Sequence, residues 1–152
     1  MQTIRIRAAS SADLGTVLAL YRALETGAEV GLDQAGAKRI FARMNQYPDY
    51  HLYVAEEEGE ILGAFALLIM DNLAHSGAPS GVVEDVVVRA DQRGRGIGKR
   101  MMEFALERCR EAGCYKMTLS SNLQREQAHR FYDSLGFERH GYSFRVLLRP
   151  EE

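Results

Sequence analysis

A chain of 152 residues, 46% apolar and 26% charged, is the size of one globular domain and long enough to bury a core. Nineteen basic and 21 acidic side chains leave a formal charge of −2, which argues against a general affinity for nucleic acid or an anionic membrane. The longest apolar run, residues 61–70, is too short to span a bilayer, and residues 1–7 lack the apolar core of a signal peptide, so a cytoplasmic setting is expected.

Residues 3–8 alternate as a first strand. Ser10 followed by Asp13 marks a helix start, and Leu14, Val17, Leu18, Tyr21 and Leu24 recur at helical spacing until Gly27 and Gly31. A second helix is expected from Asp33, with Ala37, Ile40, Phe41 and Met44 on its buried face and Pro48 beyond its end. Residues 51–56 and 61–70 read as a hairpin turning at Glu57-Glu58-Gly59, the second strand apolar enough to be covered on both faces. Residues 71–80 form a loop long enough to suggest a functional role. A strand over 81–88 follows, and then a helix with Ile97, Met101, Ala105, Cys109 and Ala112 on one stripe, stopped by Gly113. A strand at 116–120, a helix at 125–134 and closing strands at 137–139 and 142–148 complete an α+β reading with no linker or repeat. Cys109 and Cys114 match no zinc or redox spacing, so buried packing is expected of them, and no His, Asp and Glu set has metal-ligand spacing.

Residues 84–99 concentrate the chemistry. Glu84-Asp85-Val86-Val87-Val88 feeds a loop with glycines at 94, 96 and 98, and the loop opens directly into the long helix. The glycines let the backbone curl so that the amides of residues 93–98 converge, and the helix dipole adds positive charge. Arg89, Arg93, Arg95, Lys99 and Arg100 surround them. A pyrophosphate suits such a nest; a plain tight turn flanked by solvated cations is the alternative. A P-loop is excluded, because Arg93 stands where its first glycine belongs and Arg100 replaces its hydroxyl. A dinucleotide fingerprint is excluded by the Gly-x-Gly-x-Gly spacing and its late position.

The spacing Arg93-x-x-Gly96-x-Gly98 resembles the coenzyme A loop of the GCN5-related N-acetyltransferases (GNAT). Residues 84–88 are similar to that family's central strand. Asn122, Ala128, Phe131-Tyr132 and Leu135-Gly136-Phe137 are similar to its second motif, so the likeness runs from about residue 82 to 148. It implies one acyl-CoA N-acyltransferase domain over residues 1–152, with a mixed central sheet flanked by helices and a splayed central strand. It further implies that pantetheine lies along the backbone of Val86, Val87 and Val88. The pyrophosphate would lie on the amides of Arg93, Gly94, Arg95, Gly96, Ile97, Gly98 and Lys99, and Asn122 would contact the pantetheine arm. Many members dimerise, so a homodimer is the assembly the resemblance suggests.

The implied reaction carries acetyl from acetyl-CoA to an amine by direct attack in a ternary complex. Such transfer needs a deprotonated amine, a stabilised oxyanion and support for the departing thiolate. The resemblance puts Tyr132 near the sulfur as proton donor, with core packing beside Phe131 and Phe137 as the alternative. A Val86 amide is the expected oxyanion donor. Glu84 is the candidate base, since two-residue alternation puts it on the side of Val86 and Val88 and opposite Asp85. His129 shares a helix face with Tyr132 and is a weaker candidate for proton relay. Local likenesses to aminoalkylphosphonate and glucosamine-6-phosphate N-acetyltransferases suggest a small amine carrying phosphate or phosphonate, with Arg130, Arg139 or Arg145 as anion contacts or as plain surface charges. The competing readings are a non-catalytic acyl-CoA-binding regulatory module and an acetyltransferase acting on a protein or peptide amine.

Overall fold

The apolar run beginning at residue 61 becomes the middle of the sheet. In the computed structural model, which describes residues 3–24, 31–121 and 123–149, every residue from Ile61 to Leu67 is buried. The elements of the first compact unit, Met1–Leu119, are β1 (Arg5–Ala8), α1 (Leu14–Leu24), α2 (Gln34–Met44), β2 (Tyr50–Glu57), β3 (Glu60–Met70), β4 (Ser80–Val88), α3 (Ile97–Glu111) and β5 (Lys116–Leu119). The second unit, Ser120–Glu152, holds α4 (Glu126–Ser134). The sheet has the order β1-β2-β3-β4-β5, antiparallel from β1 to β4 and parallel between β4 and β5. The expected mixed sheet flanked by helices is therefore observed.

Helices cover the two faces of β3. On one side Leu14, Val17 and Leu20 of α1 and Ala37 of α2 pack on Leu52, Val54, Ala64 and Val87. On the other, Phe65 stacks on Tyr53, whose ring also meets Phe104 of α3 edge-on at 5.0 Å. Met101, Met102 and Ala105 of α3 are fully buried. Removing the Phe65 ring would cost about 3–5 kcal/mol, the usual range for a fully enclosed aromatic.

Local chemistry sets most boundaries where expected. Asp33 caps α2 by accepting the Gly36 amide at 2.7 Å. Glu58 and Gly59 take positive φ (50° and 82°), the geometry of a tight hairpin turn. The expected stop of α1 at Gly27 lies outside the described residues. Ile40 does not join the buried face of α2 but is 40% exposed, because Ala37, Phe41 and Met44 already fill the contact with the core.

The closing strands do not form among the described residues. Residues 137–148 carry no strand, and Tyr142, Phe144 and Leu148 are 87–91% exposed. Alternating apolar residues make a strand only when a partner completes the ladder, and the described residues of the second unit supply none. What it does hold is an aromatic trio: Tyr132 meets Phe131 and Phe137 edge-on at 5.1 and 5.6 Å.

Candidate active site

The site is built where β4 parts from β5. Their ladder ends at Val83↔Leu119, where β5 itself ends, whereas β4 runs on to Val88, so its last five residues are unpaired on that edge. On the other edge β4 stays paired with β3, but with a bulge: Ala66 pairs with Glu84 and Ala64 with Val87, leaving Phe65 opposite both Asp85 and Val86. Asp85 absorbs the extra residue with φ 55°, in the left-handed region that Asp tolerates better than most. A bulge leaves one residue without its ladder partner, which frees backbone polar groups in the middle of a strand.

The bulge also corrects the faces expected from alternation. Glu84 lies in the row Leu52–Ala66–Glu84, and Val87 pairs with Ala64, so both face α1 and α2. Val88 pairs with Gly63, which lies under Met101 of α3. Glu84 therefore shares its side with Val87 and not with Val88, because one inserted residue inverts the parity beyond it.

Beyond β4 the chain makes a short 3-10 turn over Ala90–Gln92 and reaches Gly94 and Gly96, at φ 84° and 80°. Gly96 is the N-cap of α3, and no side chain caps the helix. The amides of Ile97, Gly98 and Lys99 lack acceptors within the helix, and the first internal bond runs from the Arg100 amide to the Gly96 carbonyl. A β-carbon added at Gly94 or Gly96 would meet nothing within 4 Å, so the approach to these amides is open. The expected cradle residues Arg93, Gly94, Arg95, Gly96, Ile97, Gly98 and Lys99 thus occupy the loop and the uncapped first turn of α3.

The cations around the loop have distinct employments. Arg95 donates two hydrogen bonds to Glu57, at 2.8 and 3.1 Å, tying the loop to the β2–β3 turn. Arg89 holds Asp91 at 2.7 Å, and Arg100 donates to the Ile4 carbonyl. Lys99 lies 4.0 Å from Glu103. Arg93 has no ion pair or hydrogen bond among the described residues, and with Thr16, Leu20, Val87 and Val88 it lines a cleft of about 250 Å³. Arg93 is the loop cation left available for a ligand, a distinction sequence proximity could not make.

Glu84 and Asp85 are both exposed, and partial burial followed by the neighbouring Asp85 charge lifts the Glu84 carboxyl above the usual carboxylate range. Two phenols that sequence reading did not connect with the site, Tyr21 and Tyr50, lie within electrostatic reach of this pair, and the Tyr47 ring packs on Tyr50. Burial, then Asp85 and Tyr50, push the Tyr21 hydroxyl far up. Burial, then Asp85, Glu84 and Tyr47, raise that of Tyr50. Tyr21 carried a signal only as part of the α1 stripe; Tyr47 and Tyr50 flank Pro48 and carried none.

The remaining expected residues lie apart in sequence. Tyr132 belongs to the second unit, on α4, and burial raises its hydroxyl pKa, with Arg125 opposing. Asn122 lies outside the described residues. His129 sits near Asp133 in the same helix, and the Asp133 carboxylate also binds Arg139 at 2.7 Å. His51 pairs with Asp49, and His75 stacks on Tyr115. Among the described residues no group of three or more His, Cys, Asp or Glu is placed to hold a metal ion, and no helix is long and apolar enough to cross a membrane.

The chain matches the model of the Acetyltransferase (GNAT) family over residues 17–137. It is 31% identical over 148 residues to an aminoalkylphosphonate N-acetyltransferase of Salmonella typhimurium, covering 97% of this chain and 94% of that protein. It is 35% identical over 97 residues to a glucosamine 6-phosphate N-acetyltransferase of Trypanosoma brucei brucei, covering 64% of each. The crystal structure of a Trypanosoma brucei acetyltransferase superimposes with a TM-score of 0.82 at 30% identity, covering 96% of this chain and 100% of that one.

Proposed function

This chain belongs to the Acetyltransferase (GNAT) family and is an acetyl-CoA-dependent N-acetyltransferase, and on that premise we propose that it acetylates a primary amine of a small molecule by direct attack in a ternary complex. The observation that carries this reading is the continuity of three features: the end of β4 left unpaired by β5, the bulge at Asp85, and an α3 start with open, uncapped amides. An extended amide-bearing chain fits beside Val86, Val87 and Val88, and a pyrophosphate fits at the loop.

In this assignment the amides of residues 94–99 and the Arg93 guanidinium hold the pyrophosphate, Arg95 steadies the loop through Glu57, and Asn122 meets the pantetheine arm. Acetyl-CoA supplies an activated thioester carbonyl. Glu84 takes a proton from the incoming ammonium; its raised pKa makes it a better base than an ordinary carboxylate. The Val86 amide, next to the bulge, donates to the developing oxyanion. Tyr132 gives its hydroxyl proton to the departing sulfur, and burial helps keep that proton in place at neutral pH.

A second reading, an acceptor bearing phosphate or phosphonate, is favoured by the names of the two relatives. Arg130, Arg139 or Arg145 would meet the anion, although Arg139 is already held by Asp133. The test of the function is release of free coenzyme A when amines are added to enzyme and acetyl-CoA. Thermal stabilisation by acetyl-CoA with no release on any amine would instead favour a non-catalytic binding module.

A further inference from the structure

The face of β4 that carries Glu84 is acidic and aromatic. Tyr50 begins β2 two residues before Leu52, so it lies on the same side of the sheet as the row Leu52–Ala66–Glu84. Tyr21 reaches this side from α1, and Tyr47 packs edge-on against Tyr50 with ring centres 5.3 Å apart. Tyr50 feels both Glu84 and Asp85, and Tyr21 feels Asp85 and Tyr50. Among the described residues, the charges that shift Glu84, Tyr21 and Tyr50 come from acids and phenols.

Nearby acids are treated differently. Glu56 is held by Arg5 and Arg7, Glu57 by Arg95, and Asp91 by Arg89. Glu84 and Asp85 are adjacent, mutually repelling and without an ion pair among the described residues, yet they stand at the centre of the proposed reaction site. Two such carboxylates beside phenol rings are complementary to more than one positive charge, through Coulomb attraction and cation–π contact. They repel a phosphate or phosphonate.

We infer that the acceptor carries at least two ammonium groups, which makes di- and polyamines its substrate class: one ammonium is presented to Glu84 for reaction and another is held by Asp85 with Tyr47 and Tyr50. This rests on the acetyltransferase reading and narrows it. The reacting ammonium forms a nitrogen–carbon bond as the carbon–sulfur bond breaks. It gives up two protons, so that in balance one appears on the coenzyme thiol and the other in solvent. The distal ammonium keeps its charge throughout.

The experiment compares initial rates of coenzyme A release by the full chain with spermidine, putrescine, n-butylamine, 2-aminoethylphosphonate and glucosamine 6-phosphate. Spermidine or putrescine is expected to exceed n-butylamine by about tenfold or more in kcat/KM, with the phosphorus-bearing amines slowest. Asp85→Asn keeps a residue that tolerates the left-handed backbone, and Tyr47→Leu alters a ring that is 55% exposed, so both variants are expected to fold. Each should shrink the ratio of spermidine to n-butylamine several-fold, mainly through the spermidine KM. Faster turnover of a phosphorus-bearing amine than of any polyamine overturns the inference and leaves the acetyltransferase reading standing, as does an unchanged ratio in both variants. Acetyl-CoA binding without release on any of the five amines overturns both.

Discussion

Glu84 and Val87 face the same pair of helices, although in an unbroken strand residues three apart point to opposite sides. The bulge at Asp85 makes the difference, and it puts a carboxylate on the α1–α2 side of a strand whose edge is free of β5. The reacting amine is therefore expected from that side.

With Glu84 as the proposed base, its raised carboxyl pKa should set the acid limb of the activity profile. As a base it must be ionised, so kcat/KM should rise with pH through a group titrating above the usual carboxylate range. Glu84→Gln should remove that limb and lower kcat about a hundredfold, within the range for general bases. Asp85→Asn should move the limb to lower pH, because a neighbouring negative charge is lost. An identical profile in the Gln variant would dismiss Glu84 as the base.

Arg93 and Arg95 should behave differently despite being two residues apart. Arg93→Ala removes the unengaged cation at the cleft and should weaken acetyl-CoA binding about tenfold, more at low salt than at high. Arg95→Ala frees Glu57 and loosens the loop, with a smaller and less salt-sensitive loss. Isothermal titration at two ionic strengths separates them, and equal salt slopes would contradict the division of labour.

Gly96→Val should abolish the thermal stabilisation given by acetyl-CoA. A β-branched residue at φ 80° strains the N-cap, at a cost of about 1–2 kcal/mol, and places bulk over the open amides. Persistence of the ligand-induced shift in melting temperature would move the pyrophosphate elsewhere.

Tyr132→Phe should lower kcat about ten- to a hundredfold with an unchanged dissociation constant for acetyl-CoA. A coenzyme thiolate is a fair leaving group, so a residual rate is expected. Undiminished turnover would leave the Phe131–Tyr132–Phe137 trio as packing alone.

Acid should loosen the fold at Asp13. Hydrogen bonds from Arg7 at 2.8 and 3.0 Å, aided by the Ser10 amide, lower its pKa from 3.8 to about 2. The stabilisation is complete above the unfolded value and is lost as pH falls through the folded one, a window from about pH 4 to pH 2. It is worth up to about 2 kcal/mol. Urea unfolding across that window should show the loss in the natural chain and a flatter response in Asp13→Asn.

Elements whose signals are local were readable from sequence. The hairpin at Glu58-Gly59, the cap at Asp33, the glycine loop and the α3 stripe each depend on neighbours within one turn or two. The bulge was not, because Glu84-Asp85-Val86-Val87-Val88 reads as one uniform strand and the extra residue exists only relative to β3. The tie from Arg95 to Glu57 spans 38 positions, so the loop cations looked equivalent until the fold paired them. The phenols of Tyr21, Tyr47 and Tyr50 come from a helix, a connection and a strand, and no spacing links them. At the other end, residues 142–148 alternate as a strand would, but alternation does not supply a ladder partner.

Helix α3 packs on β4. Its first turn opens at the glycine loop, and near its last turn the Cys109 sulfur presses on Gly81, where an added β-carbon would lie 2.4 Å from it. A rod of 15 residues, about 22 Å long, thus meets the strand at the end far from the glycine loop. That contact leaves no slack for the helix to slide toward the strand. Residue 81 is therefore closed to any side chain unless the Cys109 sulfur gives way, so the seat of the helix on the strand depends on a missing β-carbon.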